Sequence, residues 1–300
     1  MKHFFTLFAL FAISSCAVMA QDQILNGGFE DWGNYDVKTT SAAEPRYWHS
    51  FSSASGGFAF AAGEHCFIST DAHSGKYSAC LKSTKILKYV ANGTLTTGRL
   101  NAGDMNASST LNHSALDMSW KDTDFNGDPF YQVMTSRPDS IVFWVKYSTG
   151  QAGTTANMSA YITDGKYYQV PEDKTYNNIV GKAENPKITP CTKWTRISVP
   201  FTYTDNGLEP KAILLTFSTS AIPGVGSKND ILYVDDVELI YNVKGDVNSD
   251  GNVDISDVVE LVNIILGSKD GAENKRADVN GDTNTDISDV VELVNIILGN

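Results

Sequence analysis

From residue 22 to residue 243, apolar and polar side chains alternate in short runs separated by Gly, Pro, Asn and Ser. Alternation with period two places every second side chain on one face, which is what a strand buried on one side requires. The pattern predicts strands at 77–82, 140–147, 156–163, 195–203, 212–218 and 231–241. No stretch of this region carries a clean helical period. Short strands broken by turn residues suit an antiparallel two-sheet sandwich. The stretch Gly103–Phe130 is polar and aperiodic and reads as a long loop or insertion, a kind of segment that often carries binding.

The pattern changes at the C-terminus. Residues 246–267 (DVNSDGNVDISDVVELVNIILG) recur at 278–299 (DVNGDTNTDISDVVELVNIILG), an offset of 32, and Ile255–Gly267 is identical to Ile287–Gly299. Each copy opens with oxygen-bearing side chains, Asp246, Asn248, Asp250, Asp254 and Asp257 in the first, Asp278, Asn280, Asp282, Asp286 and Asp289 in the second. They fall at positions 1, 3, 5, 9 and 12 of a twelve-residue loop, with Asn252 and Asn284 at position 7, where a backbone carbonyl serves as ligand. A hard Ca2+ ion takes six to eight oxygens at about 2.4 Å, and this spacing wraps the chain around one such ion. Position 12 is Asp rather than the Glu of an EF-hand. Position 6 calls for left-handed backbone, which Gly251 supplies in the first copy; Thr283 stands there in the second.

A helix is predicted after each loop. Ser256 and Asp257 sit at its start, where an oxygen cap and a negative charge suit the unpaired N–H groups, and Gly267 ends it. Val258, Val259, Leu261, Val262, Ile264, Ile265 and Leu266 cover more than one helix face. Two such helices packed together therefore leave an apolar stripe that needs another surface.

Charge sharpens this picture. The chain carries 23 Lys and Arg against 35 Asp and Glu, net −12. Residues 244–300 hold 12 acids and 4 bases, net −8, so most of the excess sits in this one segment. Self-repulsion should keep it loose without metal; two Ca2+ ions would cancel about half of the excess and couple folding to binding. The acidic balance speaks against nucleic-acid partners and against an anionic membrane surface.

At the N-terminus, Lys2 precedes the apolar run Phe4–Ile13, and Val18-Met19-Ala20 offers cleavage before Gln21. Residues 1–20 thus read as a signal peptide, with Ile13-Ser14-Ser15-Cys16 as a looser alternative that would place lipid on Cys16. No other run is long enough to span a membrane, and the protein is expected to be secreted, extracellular or at the cell surface. Export permits disulfides. A Cys66–Cys80 bridge would close a short loop and add about 3 kcal/mol; three thiols, counting Cys191, are the equal alternative.

On these residues, 244–300 resembles a type I dockerin: duplicated loop-helix units with Asp and Asn ligands and Asp at position 12. The resemblance implies a small all-α module that binds two Ca2+ ions and plugs into a cohesin on another protein, with two near-identical copies giving a pseudo-twofold surface. The recognition positions of that family fall on Ile255, Ser256, Val262 and Asn263, and on Ile287, Ser288, Val294 and Asn295. Many relatives carry a basic residue in mid-helix; here Val-Asn-Ile stands instead, which implies a more apolar contact. The other reading is a calcium-stapled tail that packs on its own protein.

The body, 22–243, opens with Leu25-Asn26-Gly27-Gly28-Phe29-Glu30-Asp31-Trp32 and closes with Leu232-Tyr233-Val234-Asp235-Asp236-Val237-Glu238-Leu239. That pairing resembles jelly-roll carbohydrate-binding modules, whose first and last strands lie side by side and hold a structural Ca2+. The resemblance nominates Glu30 and Asp236 as ligands of a third ion, Asp235 after them, with the turn His73–Tyr77 adding a backbone oxygen; acids on a solvated edge are the alternative. Further motifs are Pro45-Arg46-Tyr47-Trp48, Asn92 to Gly98, Arg137-Pro138-Asp139 before Phe143 to Tyr147, and Val199 to Tyr203. With them the whole stretch resembles the carbohydrate-metabolism domain of secreted Bacteroidetes proteins.

No catalytic constellation stands out: there is no Gly-x-Ser-x-Gly, no His-Glu-x-x-His and no phosphate loop. His49, His65, His73 and His113 lack metal-ligand spacing. Sugar recognition wants an aromatic face beside planar polar groups. Trp120, Tyr167 and Tyr168 lie in loop-like surroundings and are the glycan-binding candidates; Trp144 is expected in the core. Three readings remain: a glycan-binding component docked on a cohesin, a glycoside hydrolase whose carboxylate pair the sequence does not name, and a surface structural protein whose dockerin docks internally.

One consequence is directly measurable. A β-branched residue in the left-handed region costs on the order of 1–2 kcal/mol. Calcium titration calorimetry is expected to show weaker binding in the loop that carries Thr283; equal affinities, or a tighter second loop, would contradict this.

Overall fold

A computed structural model of the chain describes residues 21–36, 42–86, 88–241, 243–248, 252–267 and 276–299. The leader expected at 1–20, and Asp250 and Gly251 of the first calcium loop, lie outside the described residues. Two compact units part at Asn242: Asp22–Asn242, and a second that includes Val243–Asn300.

The first unit is built of antiparallel sheets. One has five strands in the spatial order Cys66–Ser69, Ser78–Lys82, Ile231–Ile240, Ser140–Ser148, Cys191–Pro200. A second runs Thr202–Tyr203, Ile179–Ile188, Ala156–Thr163, Ala212–Ser218, Thr94–Thr96, with Gln132–Val133 also paired to Ala212–Ser218. A third has three strands, Tyr168–Val170, Asn112–Leu116 and Arg99–Ala102.

Strand alternation explains the layering. Ile141, Phe143, Val145 and Tyr147 from the first sheet share one buried cluster with Met158, Ala160, Ile162, Ile213, Leu215 and Phe217 from the second. The Phe143 and Phe217 rings meet edge-on at 5.1 Å. Each such side chain contributes about 1.5–3 kcal/mol by leaving water. The residues of opposite parity in the second sheet, Tyr161, Ala212 and Leu214, are buried as well, because Leu116 and Tyr168 of the three-stranded sheet cover them. The protein is therefore mainly β, a two-sheet sandwich with a third sheet layered on one side.

Five of the six predicted strands are present; the sixth, 195–203, divides after Pro200, Cys191–Pro200 lying in the first sheet and Thr202–Tyr203 in the second, and the structure adds several the pattern did not show. Ile179–Ile188 contains Gly181 and Pro186, both poor strand formers. Gly181 lies under the Tyr203 ring, which would stand 2.5 Å from any Cβ there. Pro186 falls where the ladder to Ala156–Thr163 shifts register, so its missing N–H interrupts no regular pair. The stretch Gly103–Phe130 is not all loop, since Asn112–Leu116 is the central strand of the three-stranded sheet. The opening segment is a set of turns rather than a strand. It still lies along Ile231–Ile240: Gln23 donates to the Leu239 carbonyl at 2.7 Å and accepts its amide at 2.8 Å, and the Val237 amide donates to Gly27 at 2.9 Å.

Cys66 and Cys80 are free thiols, as is Cys191. Register gives the reason: Cys66 pairs with Leu81 and Cys80 with Phe67, so the two side chains point to opposite faces of the sheet. Burial raises the Cys66 and Cys80 thiols above the ordinary range. Reductant is expected to leave Tm unchanged, with Cys66, Cys80 and Cys191 all titrating in the unfolded chain. A bridge worth about 3 kcal/mol would instead show as a lower Tm on reduction and as missing thiols.

Candidate functional site

The second unit has two helices, Ile255–Ile265 and Ile287–Leu298. Val247, Leu261, Ala277, Val279 and Leu293 form its core, with Val253, Val258, Ile264, Ile265, Val290 and Ile296 packed around them. Each helix opens with a capping box. The cap is Asp254 in one and Asp286 in the other, three residues ahead of Asp257 and Asp289. This corrects the placement of Ser256 at the cap: its amide and hydroxyl both donate to Asp254 Oδ1 at 2.7 Å, so Ser256 is among the residues being capped.

The position-12 acids are the centre of both loops. Asp257 Oδ1 accepts the Asn248 amide at 3.0 Å and its Oδ2 the Asp254 amide at 2.9 Å. Asp289 repeats this with Asn280 at 3.0 Å and Asp286 at 2.9 Å. Both carboxylates are fully buried. Among the described residues each oxygen accepts one neutral amide, and a buried carboxylate so weakly compensated is costly unless a cation sits against it.

The second loop shows how the chain is drawn in. Asp278 Oδ1 accepts the amides of Gly281 at 2.8 Å and Asp282 at 3.0 Å, and Asp278 Oδ2 that of Thr283 at 2.9 Å. Asn280 and Asp282 accept the amides of Asp282 and Asn284 at 2.8 and 2.9 Å. Thr283 has φ +75, the left-handed backbone that position 6 demands, despite its branched Cβ. In the first loop Asp246 is buried and Arg276 Nη1 lies 3.2 Å from its Oδ2. The residues present fit a hard cation: the donors are carboxylate and amide oxygens, and the loop backbone groups them.

On the helices, Ile255, Val259 and Leu266 are exposed, and so are Ile287, Val291, Val294 and Leu298. Ile255 and Ile287 are 71% and 69% exposed. Spacings of four, three and four keep Ile287, Val291, Val294 and Leu298 on one helix face, and Ile255, Val259, Val262 and Leu266 on the matching face of the other. Ser256, Ser288 and Asn295 are also exposed, and Val262 and Asn263 are half-buried.

In the sandwich, the structure brings Glu30, Asp235 and Asp236 to one turn. Glu30 Oε1 accepts the Lys76 and Tyr77 amides at 2.7 and 3.0 Å. The close fit needs Gly75, where a Cβ would fall 2.2 Å from Glu30 Oε1. Asp236 Oδ1 accepts the Ser74 hydroxyl at 2.8 Å and its Oδ2 lies 2.5 Å from His73 Nδ1. Asp235 Oδ2 accepts the His73 amide at 2.7 Å. Burial, reinforced by neighbouring Asp236, pushes Asp235 up to about 6 against the pull of the His73, Asp236 and Ser74 amides.

The glycan candidates divide by strand parity. Trp120 and Tyr167 are half-buried, edge to face at 6.1 Å, and the Arg99 guanidinium lies 4.5 Å from the Trp120 ring. Tyr168, one residue on, is fully buried beside Tyr161 with its hydroxyl on Glu172 at 3.0 Å. It is core, not a stacking platform. The reverse correction holds for Trp144: with Phe143 and Val145 turned inward, Trp144 lies on the outer face of the five-stranded sheet. There it stacks on His73 at 3.6 Å, and Trp194, Tyr233 and Lys146 gather on the same face. The sequence hid this cluster because Val142 and Trp144 make the strand apolar on both sides.

Residues 244–298 match the family described as the Dockerin type I domain. No curated protein matches the chain. Among solved structures, one similar chain is a "putative glycoside hydrolase" from Bacteroides thetaiotaomicron, 17% identical over 65% of this chain, with TM-score 0.48. The match spans 62% of that chain, less than two thirds of its length. A second "putative glycoside hydrolase", from Bacteroides vulgatus, is 18% identical over 64% of this chain and 85% of its own, with TM-score 0.46. TmCBM61, solved with β-1,4-galactotriose, is 13% identical over 73% of this chain and 97% of its own, with TM-score 0.30. The loops, capping boxes and family match agree, and residues 244–298 form a dockerin type I domain, a calcium-binding module.

Proposed function

We propose that this protein is a secreted or cell-surface docking component whose dockerin, folded by two Ca2+ ions, plugs into a cohesin while its sandwich holds a glycan during polysaccharide breakdown. The observation that carries the reading is the pair of matching apolar stripes, one on each helix, beginning at Ile255 and at Ile287. Exposed rows of Ile, Val and Leu on a small acidic module want a partner surface. A dockerin implies a cohesin as that partner.

Calcium's contribution is charge neutralisation at the loops. The chain's own residues do the rest. Asp257 and Asp289 tie positions 3 and 9 to the first helical turn, which fixes Ile255 and Ile287 at the head of each stripe. Because the helical sequences are identical, either copy can face the cohesin. On the sandwich, the Trp120 ring beside Tyr167 and the Arg99 guanidinium supply an aromatic face and planar donors, which suit a sugar ring and its hydroxyls. Glu30 and Asp236, which both bond to the 73–77 turn, would hold a third, structural Ca2+ in this reading.

Binding of the full chain to a panel of type I cohesins is expected for at least one member in Ca2+ and lost on chelation. Ile255→Asp with Val259→Asp should weaken that binding by only about twofold, the statistical loss of one of two modes. The equivalent pair Ile287→Asp with Val291→Asp should do the same. All four together should weaken it by about a hundredfold or more. Full loss from one pair would end the two-mode reading, and no binding to any member would end the docking reading. On glycan arrays, Trp120→Ala is expected to abolish retention and Tyr168→Phe to leave it unchanged. Reducing-sugar release by the wild-type chain would favour the hydrolase reading instead.

A further inference from the structure

Glu44, His49 and Asp124 meet inside the sandwich, although the last two are 75 residues apart in the chain. Among the described residues they are the group whose ligand atoms, one from each of three side chains, all lie within 4.8 Å of one another. Glu44 and His49 are completely buried, and so is the Asp124 side chain. Among the described residues, Glu44 Oε2, His49 Nδ1 and Asp124 Oδ2 have no hydrogen-bond partner of good geometry; the last two face each other as an ion pair at 3.5 Å.

The other polar atom of each side chain is firmly held. Glu44 Oε1 accepts the Ser50 amide at 2.6 Å, the Ser50 hydroxyl at 2.7 Å, the Ser53 hydroxyl at 3.0 Å and the Ser53 amide at 3.2 Å. Asp124 Oδ1 accepts the Asp128 amide at 2.8 Å. His49 Nε2 lies 3.1 Å from the Pro129 carbonyl, and its backbone is tied to Thr96 at 2.7 and 2.9 Å. A carbonyl only accepts, so Nε2 carries a proton; Nδ1 then offers a lone pair to a cation, or a second N–H to Asp124 when no cation is bound. With both carboxyls ionised and the imidazole neutral, the three facing atoms are all acceptors, the state a bound cation selects. The Nδ1 to Oδ2 distance of 3.5 Å is long for a hydrogen bond. It matches the edge of a tetrahedron of ligands, about 3.4 Å for bonds of about 2.1 Å. Burial raises the Glu44 carboxyl, against His49 and the serine donors.

We propose that Glu44, His49 and Asp124 form a closed site for a divalent cation of the zinc class, distinct from the calcium sites. An imidazole donor and a small donor number favour such an ion over Ca2+ or Mg2+, and two carboxylates balance its charge. Outer partners that orient every ligand are the arrangement metal sites use. Full burial makes the role structural. The ion would join the segment carrying Glu44 and His49 to the loop that ends at Phe130. The Phe130 ring lies 4.6 Å from His49 and 4.0 Å from the Arg99 guanidinium, which in turn covers Trp120. The site thereby supports the face offered to glycan, but it does not depend on that role.

The test uses the full chain, stripped of metal and returned to excess Ca2+ so that the dockerin loops are filled. Added Co2+ is expected to give visible d–d absorption that saturates at one equivalent, without the near-ultraviolet band of a thiolate ligand. Zn2+ should displace it and raise the Tm of the sandwich. Asp124→Asn and His49→Gln should each lower Zn2+ affinity by about tenfold or more, with near-ultraviolet circular dichroism unchanged. If a variant does not fold, the wild-type spectrum and Tm shift decide alone. No Co2+ absorption and no Zn2+ effect on wild-type Tm would mean that a shared proton holds the cluster, and would overturn the proposal. So would a thiolate band, or equal Zn2+ binding by wild type and a folded Asp124→Asn.

Discussion

The dockerin depends on two buried carboxylates. Asp257 and Asp289 each tie loop positions 3 and 9 to the first turn of the following helix, and each does so with its carboxyl group removed from water. Two neutral amides per carboxylate are weak compensation for that burial. The surrounding loop adds more acids. A bound cation would supply the missing compensation, and calcium binding coupled to folding is the behaviour we propose for this module. The exposed stripes follow from the same constraint, because the carboxylates that need the ion are also the residues that set where each helix begins.

The sandwich obeys a different logic. Its core comes from strand parity, with Ile141, Phe143, Val145 and Tyr147 facing Met158, Ile162, Leu215 and Phe217. The third sheet then buries the far side of one main sheet, and Trp120, Tyr167 and Arg99 sit at that added layer. The far side of the other main sheet carries Trp144, Trp194, Tyr233 and His73. No described helix is long and apolar enough to cross a membrane. The central strand of the third sheet, Asn112–Leu116, lies in a stretch that reads as loop, and its neighbours Arg99–Ala102 and Tyr168–Val170 flank that stretch in the chain.

What was legible in the sequence was local. The loop ligands lie within twelve residues of one another at fixed spacing, so reading them needed no knowledge of the fold, and the left-handed demand at position 6 reappears as φ +75 at Thr283. Parity errors explain the misplaced aromatics. Tyr167 and Tyr168 differ by one position, and only the pairing of Tyr168 with Leu116 shows which one points inward. Cys66 and Cys80 stand near each other in the sheet, yet the register turns them apart. Ile179–Ile188 was hidden by Gly181 and Pro186, each tolerated for a reason that lies on a neighbouring strand. Glu44, His49 and Asp124 were invisible as a group because nothing in their sequence separation encodes a meeting place that only the folded sandwich supplies.

The most direct test of the account is amide hydrogen exchange on the full chain with and without Ca2+. Peptides spanning 244–299 are expected to be protected only when Ca2+ is present, while the core strand Ser140–Ser148 stays protected in both conditions. Equal protection of the Ile255–Ile265 and Ile287–Leu298 helices in the absence of Ca2+ would contradict the claim that the loops fold around the ion.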